Sequence, residues 1–160
     1  MVNDTRPTWE EVWMRMADTM AERSKCTRAQ VGCVIVSKDQ TVLSASYNGP
    51  PPSYPAEGSC SSWCPRARGE GGLGSTYDNC PSVHAEANGV SRADHSRTHG
   101  ATAYVNRASC VTCAKLLAAA GITRLVHRVE EIDMHRNPEA TEDFLRLCGV
   151  EVVRWTQSAS

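Results

Sequence analysis

Two short motifs rich in metal-binding residue types place the strongest constraint on how this chain folds. His84-Ala85-Glu86 and Cys110-Val111-Thr112-Cys113 are each predicted to begin a helix, with one strand predicted between them. Two cysteines three positions apart at a helix start can direct both sulfur atoms to one point. A histidine at another helix start can supply a third ligand. The two helix starts are therefore expected to lie side by side.

The residue types in these motifs indicate a catalytic zinc site. Three protein ligands leave one tetrahedral position for water, and zinc lowers the pKa of that water from about 15.7 to about 7. A carboxylate must then move protons, and Glu86 is the candidate. On an ideal helix the side chains of His84 and Glu86 point about 200° apart. They can therefore share a site only if the site lies over the end of the helix, at its first turn. The alternatives are a closed zinc site, or core cysteines with a surface histidine.

The composition is that of an ordinary globular protein, with 41% hydrophobic and 22% charged residues. We treat residues 1–160 as one domain. No run approaches the roughly 20 apolar residues of a membrane span, and the N-terminus lacks an apolar secretion signal. We therefore expect a cytoplasmic protein with no membrane partner. The formal net charge of −1 argues against a nucleic-acid partner, and Arg66 and Arg68 are interpreted as part of a solvated loop.

Hydrophobic periodicity and turn residues predict five strands and four main helices. A capping box of Thr8 and Glu11 is predicted to begin the first helix. Its core face is predicted from the spacing of Trp9, Val12, Trp13, Met16 and Met20. The predicted helices are 8–24, 84–95, 111–120 and Pro138 to a stop at Gly149, and the predicted strands are 31–36, 41–47, 102–105, 122–127 and 150–153.

This order of elements predicts an α/β fold, a three-layer α-β-α arrangement around a mixed five-stranded sheet. The first two strands are expected to pair antiparallel as a hairpin, because only a short turn separates them. The later strands alternate with helices and are expected to pair in parallel.

The cysteine content suggests a second metal site. In a reducing compartment, clustered cysteines more often hold metal than form disulfides, and this chain has eight. The insertion at about 49–83 is rich in Gly, Pro and Ser, and so long a loop is normally functional or tied down. We predict a second, structural zinc ion that ties it to the first strand, with disulfides or unpaired thiols as alternatives. Its candidate ligands are Cys26, Cys60, Cys64 and Cys80, whereas Cys33 and Cys148 are predicted to be buried thiols.

Over roughly residues 8–153, the chain resembles the cytidine/deoxycytidylate deaminase superfamily, specifically its dCMP deaminase branch. The pairing of H-x-E with C-x-x-C is a signature of zinc-dependent nucleobase deaminases. The similar segments are 23–32, Tyr47-Asn48-Gly49, His84-Ala85-Glu86-Ala87-Asn88, Tyr104–Val105, Cys110–Lys115 and Ala120-Gly121-Ile122.

The resemblance implies roles for individual residues. His84, Cys110 and Cys113 hold zinc, and Glu86 shuttles protons. Asn48 contacts the sugar or its phosphate, although Asn48-Gly49 is also a good turn pair. The residues implied beside the substrate are Ala85, Arg107 and Ser109.

Two of these positions carry further expectations. Arg107 either clamps a phosphate or is merely exposed. Ser109 stands where the family has a proline, and we expect it to cap the following helix.

The implied reaction is hydrolysis of dCMP to dUMP and ammonia by a homo-oligomer. Within the same chemistry, another cytosine or modified pyrimidine nucleotide or nucleoside is an alternative substrate. The alternatives of other classes are a nucleic-acid base deaminase and a non-catalytic scaffold that binds zinc or a nucleotide.

Overall fold

The computed structural model describes residues 5–70 and 79–157. Two 3-10 helices, His95–Arg97 and Glu131–Arg136, accompany the main elements. The helices are α1 (Trp9–Ala21), α2 (Cys60–Trp63), α3 (Ala85–Arg92), α4 (Val111–Ala119) and α5 (Pro138–Leu147), and the strands are β1 (Gly32–Val36), β2 (Val42–Tyr47), β3 (Thr102–Val105), β4 (Arg124–His127) and β5 (Glu151–Arg154).

The five strands form one mixed sheet in the order β2-β1-β3-β4-β5. β1 pairs antiparallel with both β2 and β3, whereas β3, β4 and β5 are parallel. The predicted α/β fold class and both predicted pairing directions are therefore confirmed.

Helices cover both faces of the sheet. Successive side chains of a strand point to opposite faces, so Cys33 and Ile35 join the core cluster that includes residues of α3, α4 and α5. Val34 and Val36 join the other cluster, which contains residues of α1. Because both faces are covered, β1 is buried along its whole length.

α1 begins as predicted, and part of its predicted core face is buried, because Trp13 lies in the core and Val12 and Met16 pack against it. The capping box is present, with the Glu11 amide donating to Thr8 Oγ1 at 3.2 Å and the Thr8 amide donating to Glu11 Oε2 at 2.7 Å. Trp9, however, is 56% exposed, whereas Met14 and Ala17 are fully buried. The helix packs against β1 through Met14 and Ala17, because the small side chain of Ala17 permits a close approach.

The insertion at about 49–83 is closed at its base. Gly49 and Val83 form an isolated antiparallel bridge, with hydrogen bonds of 2.9 and 3.1 Å between their backbones. Between them, α2 places Trp63 in a small apolar cluster with Cys60 and Cys64. The predicted loop thus contains a short helix and returns to its starting point.

Several local predictions are wrong. The 3-10 helix Glu131–Arg136 was not predicted, because so short a segment shows no apolar periodicity. Cys148 is exposed rather than buried, since it caps the solvent-facing end of α5, where Leu147 is 89% exposed. β4 begins at Arg124, two residues later than expected.

In the described part of the chain, no helix has the length and apolar character needed to cross a membrane.

The contact of α1 with β1 depends on the absence of a side chain at Gly32. A Cβ atom there would overlap the carbonyl oxygen of Ala17 in the α1 backbone, which cannot rotate away. We expect Gly32→Ala to lower the free energy of unfolding by about 3 kcal/mol or more, as measured by urea denaturation. The control is Gly49→Ala, because the nearest atom to its added Cβ would be 3.4 Å away, on the Tyr47 ring. Equal stability of the two variants would contradict this account.

Candidate functional site

Three metal-binding side chains converge where α3 and α4 begin. His84 is the N-cap of α3, and Cys110 is the N-cap of α4. His84 Nδ1 lies 3.6 Å from Cys110 Sγ and 3.3 Å from Cys113 Sγ. Among residues 5–70 and 79–157, these are the three metal-binding residues whose ligand atoms all lie within 4.8 Å of one another. One imidazole and two thiols are a donor set that suits zinc.

The helix ends leave these side chains available for a metal. Neither His84 nor Cys110 uses its side chain to cap its helix. A hydrogen bond from the Cys113 thiol, followed by the interaction with His84, lowers the pKa of Cys110 to about 3. The same thiolate, together with burial, raises the pKa of Cys113 well above its usual range.

Glu86 lies beside this cluster and is 3% exposed. It is in the first turn of α3, which is the position at which His84 and Glu86 can share one site. After Cys110 and burial, the nearby charge of Glu86 also helps to raise the pKa of the Cys113 thiol. A buried carboxylate next to three metal donors is the arrangement needed for proton transfer at a metal site.

The cluster opens into a cavity of about 270 Å³. One part of its wall is formed by His84, Glu86 and Cys110. Ala85, which lies between the histidine and the glutamate in the chain, also lines the cavity. The cavity has a basic character that the net charge of the chain does not reveal. Its basic lining residues are Arg28, Arg66, Arg107, His135 and Arg136.

Arg107 is held in place by a buried acid. Its Nε and Nη2 donate to Asp133 Oδ1 at 3.1 and 2.9 Å, and its side chain is 19% exposed. The alternative of a merely exposed arginine is therefore wrong. Arg136 Nε lies 3.8 Å from the same Asp133 oxygen, so two guanidinium groups share one carboxylate and the wall retains positive charge.

Asn48 connects the cavity to the polypeptide backbone. Its Oδ1 accepts the amide of Val31 at 2.8 Å, and its Nδ2 donates to the carbonyl of Ala29 at 2.9 Å. Asn48 also lines the cavity. It therefore fixes the segment that enters β1, and one Nδ2 hydrogen remains for another acceptor.

Ser109 lies elsewhere than expected. The N-cap of α4 is Cys110, so the predicted capping role of Ser109 is wrong. Ser109 is fully buried and does not line the cavity, and its hydroxyl group has no hydrogen-bond partner among residues 5–70 and 79–157. Its amide instead donates to His127 Nδ1 at 3.4 Å, which turns Ser109 toward the interior.

The four remaining candidate ligands lie close together in the insertion and beside it. Cys64 Sγ is 3.8 Å from Cys80 Sγ, and burial raises the pKa of both Cys60 and Cys80. Cys60 also interacts with the thiols of Cys26 and Cys64. Within the described residues, no three of these sulfur atoms lie as close together as the atoms of the His84 cluster.

Asp133 and Arg136 were missed by the sequence analysis. Both belong to the unpredicted 3-10 helix, which packs beside the cavity. The Asp133–Arg136 spacing was the available signal, but it is too common to identify a site. Arg28 also lines the cavity. It lies in the similar segment 23–32, but the resemblance implies no role for it.

Comparison with known proteins supports the same interpretation. The family model for the cytidine and deoxycytidylate deaminase zinc-binding region matches residues 7–129. Deoxycytidylate deaminase of Mycobacterium phage D29 is 40% identical over 131 residues, covering 79% of this chain and 98% of that protein. Its counterpart in Schizosaccharomyces pombe is 32% identical over 152 residues, covering 94% of this chain but only 45% of the yeast protein.

A solved structure shares the fold. The dCMP deaminase of cyanophage S-TIM5 superimposes with a TM-score of 0.68 at 23% identity, covering 94% of this chain and 100% of that one. The match to the family model includes His84, Glu86, Cys110 and Cys113. The chain belongs to the cytidine and deoxycytidylate deaminase family.

Proposed function

We propose that this protein hydrolyses dCMP to dUMP and ammonia in a zinc-dependent reaction. The observation that carries the proposal is the buried carboxylate of Glu86, which lies beside a His-Cys-Cys cluster inside a cavity with basic walls. Relatives that are 30% to 40% identical bear the name deoxycytidylate deaminase.

His84, Cys110 and Cys113 would hold the metal, which supplies a Lewis acid that makes water nucleophilic near neutral pH. Glu86 takes a proton from the attacking water and delivers it to the ring nitrogen of the base. It then moves the proton of the added hydroxyl group to the amino group, so that the carbon–nitrogen bond breaks, ammonia leaves and the ring carbonyl of dUMP forms. Because Glu86 is buried, bulk water is excluded from its carboxylate. The carboxylate therefore interacts more strongly with the charge that develops on the base during the reaction.

The basic wall supports a nucleotide rather than a nucleoside as substrate. Arginine side chains bind phosphate oxygens through charge-assisted hydrogen bonds. We assign the phosphate to Arg107, which Asp133 holds in position, and the sugar to Asn48. Ala85, which is buried between the histidine and the glutamate, lies where the base would approach the metal. Ser109 acts on the site only through its backbone.

We also propose a structural zinc ion held by Cys26, Cys60, Cys64 and Cys80. The proximity of the thiols supports it, because Cys64 Sγ lies 3.8 Å from Cys80 Sγ and four thiolates are a donor set that suits a closed zinc site. The ion would tie the insertion to the segment before β1. The need for reduced thiols fits a cytoplasmic location.

We further propose that the chain forms a homo-oligomer. Apolar side chains near the site are unusually exposed: Val111 by 42%, Ile132 by 63% and Met134 by 50%. Burial of such side chains against another subunit would remove apolar surface from water.

Replacement of Glu86 tests the catalytic role. We expect Glu86→Gln to lower kcat for dCMP by about 100- to 10,000-fold, because the amide cannot carry the proton, while the zinc content stays at the parental level. Ammonia release from dCMP and zinc content by atomic absorption are the measurements. The control is Glu139→Gln, an exposed glutamate on α5.

The same assay separates the competing functions. Turnover of dCMP that survives Glu86→Gln would contradict the mechanism. Binding of dCMP without turnover in the parent would favour a non-catalytic scaffold. Deamination of single-stranded DNA in preference to free nucleotides would favour a base deaminase.

Zinc stoichiometry tests the two metal sites separately. The parent is expected to hold about two zinc ions per chain. Cys113→Ser should lose about one ion together with deaminase activity, and Cys64→Ser should lose about one ion while lowering the melting temperature. Cys148→Ser, at an exposed position, should change neither quantity. A parent that binds one zinc ion would refute the structural site.

The phosphate assignment predicts a change in substrate preference. We expect Arg107→Gln to raise KM for dCMP by about 10- to 100-fold, since a hydrogen bond to a charged group is lost, but to leave kcat/KM for deoxycytidine almost unchanged. Arg97→Gln, which alters an exposed pair with Asp39, is the control. Equal losses on both substrates would mean that Arg107 only maintains the fold.

A further inference from the structure

His127 is a buried histidine that lies outside the three-residue metal cluster. It is the last residue of β4, has no exposed surface, and does not line the cavity. A polar atom in the interior lowers stability unless it is hydrogen-bonded. Both nitrogen atoms of His127 have partners, and the two partners lie in different parts of the fold.

The first partner is an acid on α5. His127 Nε2 lies 3.1 Å from Glu142 Oε1. Arg154 donates to the same carboxylate at 2.7 Å and Arg146 at 3.2 Å. Two arginines favour the charged carboxylate, so Glu142 accepts hydrogen bonds. The Nε2 atom of His127 must therefore carry the ring proton.

The second partner is the backbone next to a metal ligand. The Ser109 amide lies 3.4 Å from His127 Nδ1, and an amide N–H can only donate. Both contacts thus require the same neutral tautomer, which is protonated on Nε2 alone. Burial lowers the pKa of His127, which favours a neutral ring.

The residue that His127 contacts immediately precedes Cys110. Within the described part of the chain, the Ser109 hydroxyl has no partner, and the contact of Ser109 with His127 is made by its amide. The rest of the segment is anchored by other contacts: Asn106 Oδ1 accepts the Gly32 amide at 2.9 Å, and the Ala108 carbonyl accepts from Arg136 at 3.0 Å. The His127 contact is the nearest of these to the ligand along the chain.

We propose that His127 is a positioning residue for the catalytic metal site, which fixes the backbone before Cys110 through Nδ1 and is itself oriented by Glu142 through Nε2. The inference rests on the proposed zinc site, but not on the identity of the substrate. It assigns separate consequences to the two ring nitrogens. Loss of the Nδ1 contact weakens the metal site, whereas loss of the Nε2 contact weakens the attachment of α5 to β4.

Two amide substitutions separate the nitrogens. Glutamine ends near the Nε2 position and can still donate to Glu142, whereas asparagine ends near Nδ1 and can still accept the Ser109 amide. We expect His127→Gln to lower zinc affinity at the catalytic site about 10- to 100-fold, which is the usual effect of losing a residue that holds a metal ligand in place. His127→Asn should bind zinc at least about fivefold more tightly than His127→Gln, although its melting temperature should be the lower of the two.

The measurements use the full chain loaded with metal. Competition with a chromophoric chelator gives zinc affinity, and the visible spectrum of the cobalt-substituted protein reports the geometry at the cysteine ligands. His95→Gln, which removes an exposed imidazole, should match the parent in both. If His127→Gln binds zinc as tightly as the parent, or if both His127 variants lose affinity equally, the proposal is wrong.

A measurement on the parent keeps the proposal testable if a variant fails to fold. Long-range proton–nitrogen NMR of the zinc-loaded protein, uniformly labelled so that each histidine is assigned from its backbone neighbours, distinguishes the two tautomers of a neutral imidazole. We expect the ring of His127 to be protonated on Nε2, with an unprotonated Nδ1 that binds no metal. A His127 ring protonated on Nδ1 would overturn the inference. Because zinc affinity and tautomer need no substrate, they stand even if the protein does not deaminate dCMP.

Discussion

The site depends on one convergence, that of the starts of α3 and α4 at the edge of the sheet where β1 begins and β3 ends. Thiolate and imidazole ligands can share a metal only if their atoms are placed to within a few tenths of an ångström. His84 and Cys110 are brought together as the N-caps of two helices, with His84 Nδ1 3.6 Å from Cys110 Sγ. The segment leaving β3 is therefore anchored to β1 through Asn106.

Proximity and burial together give the converging groups their chemistry. The hydrogen bond between the two thiols lowers the pKa of Cys110 and raises the pKa of Cys113. Glu86 is buried next to them, where charges interact more strongly than in water. The arginines are spaced around the cavity, and Asp133 holds one of them without cancelling the positive charge of the wall.

The motifs could be predicted from sequence because their spacing is local. His84 and Glu86 share a helix turn, and Cys110 and Cys113 share another. The sheet could be predicted because short apolar segments alternate with helices. The roles of Asp133 and His127 could not be predicted. Asp133 lies 26 residues from Arg107 and His127 lies 15 residues from Glu142, and no local residue pattern indicates contacts over such separations.

The sequence by itself determined the fold class, the metal-binding residue types and the acid beside them, because hydrophobic periodicity and ligand spacing act over a few residues. The tertiary structure alone decided that Met14 rather than Trp9 is buried in α1, that Arg107 is held by Asp133, and that Ser109 turns inward to His127. These outcomes depend on close packing and on the pairing of buried polar groups, which are set by elements distant in the chain.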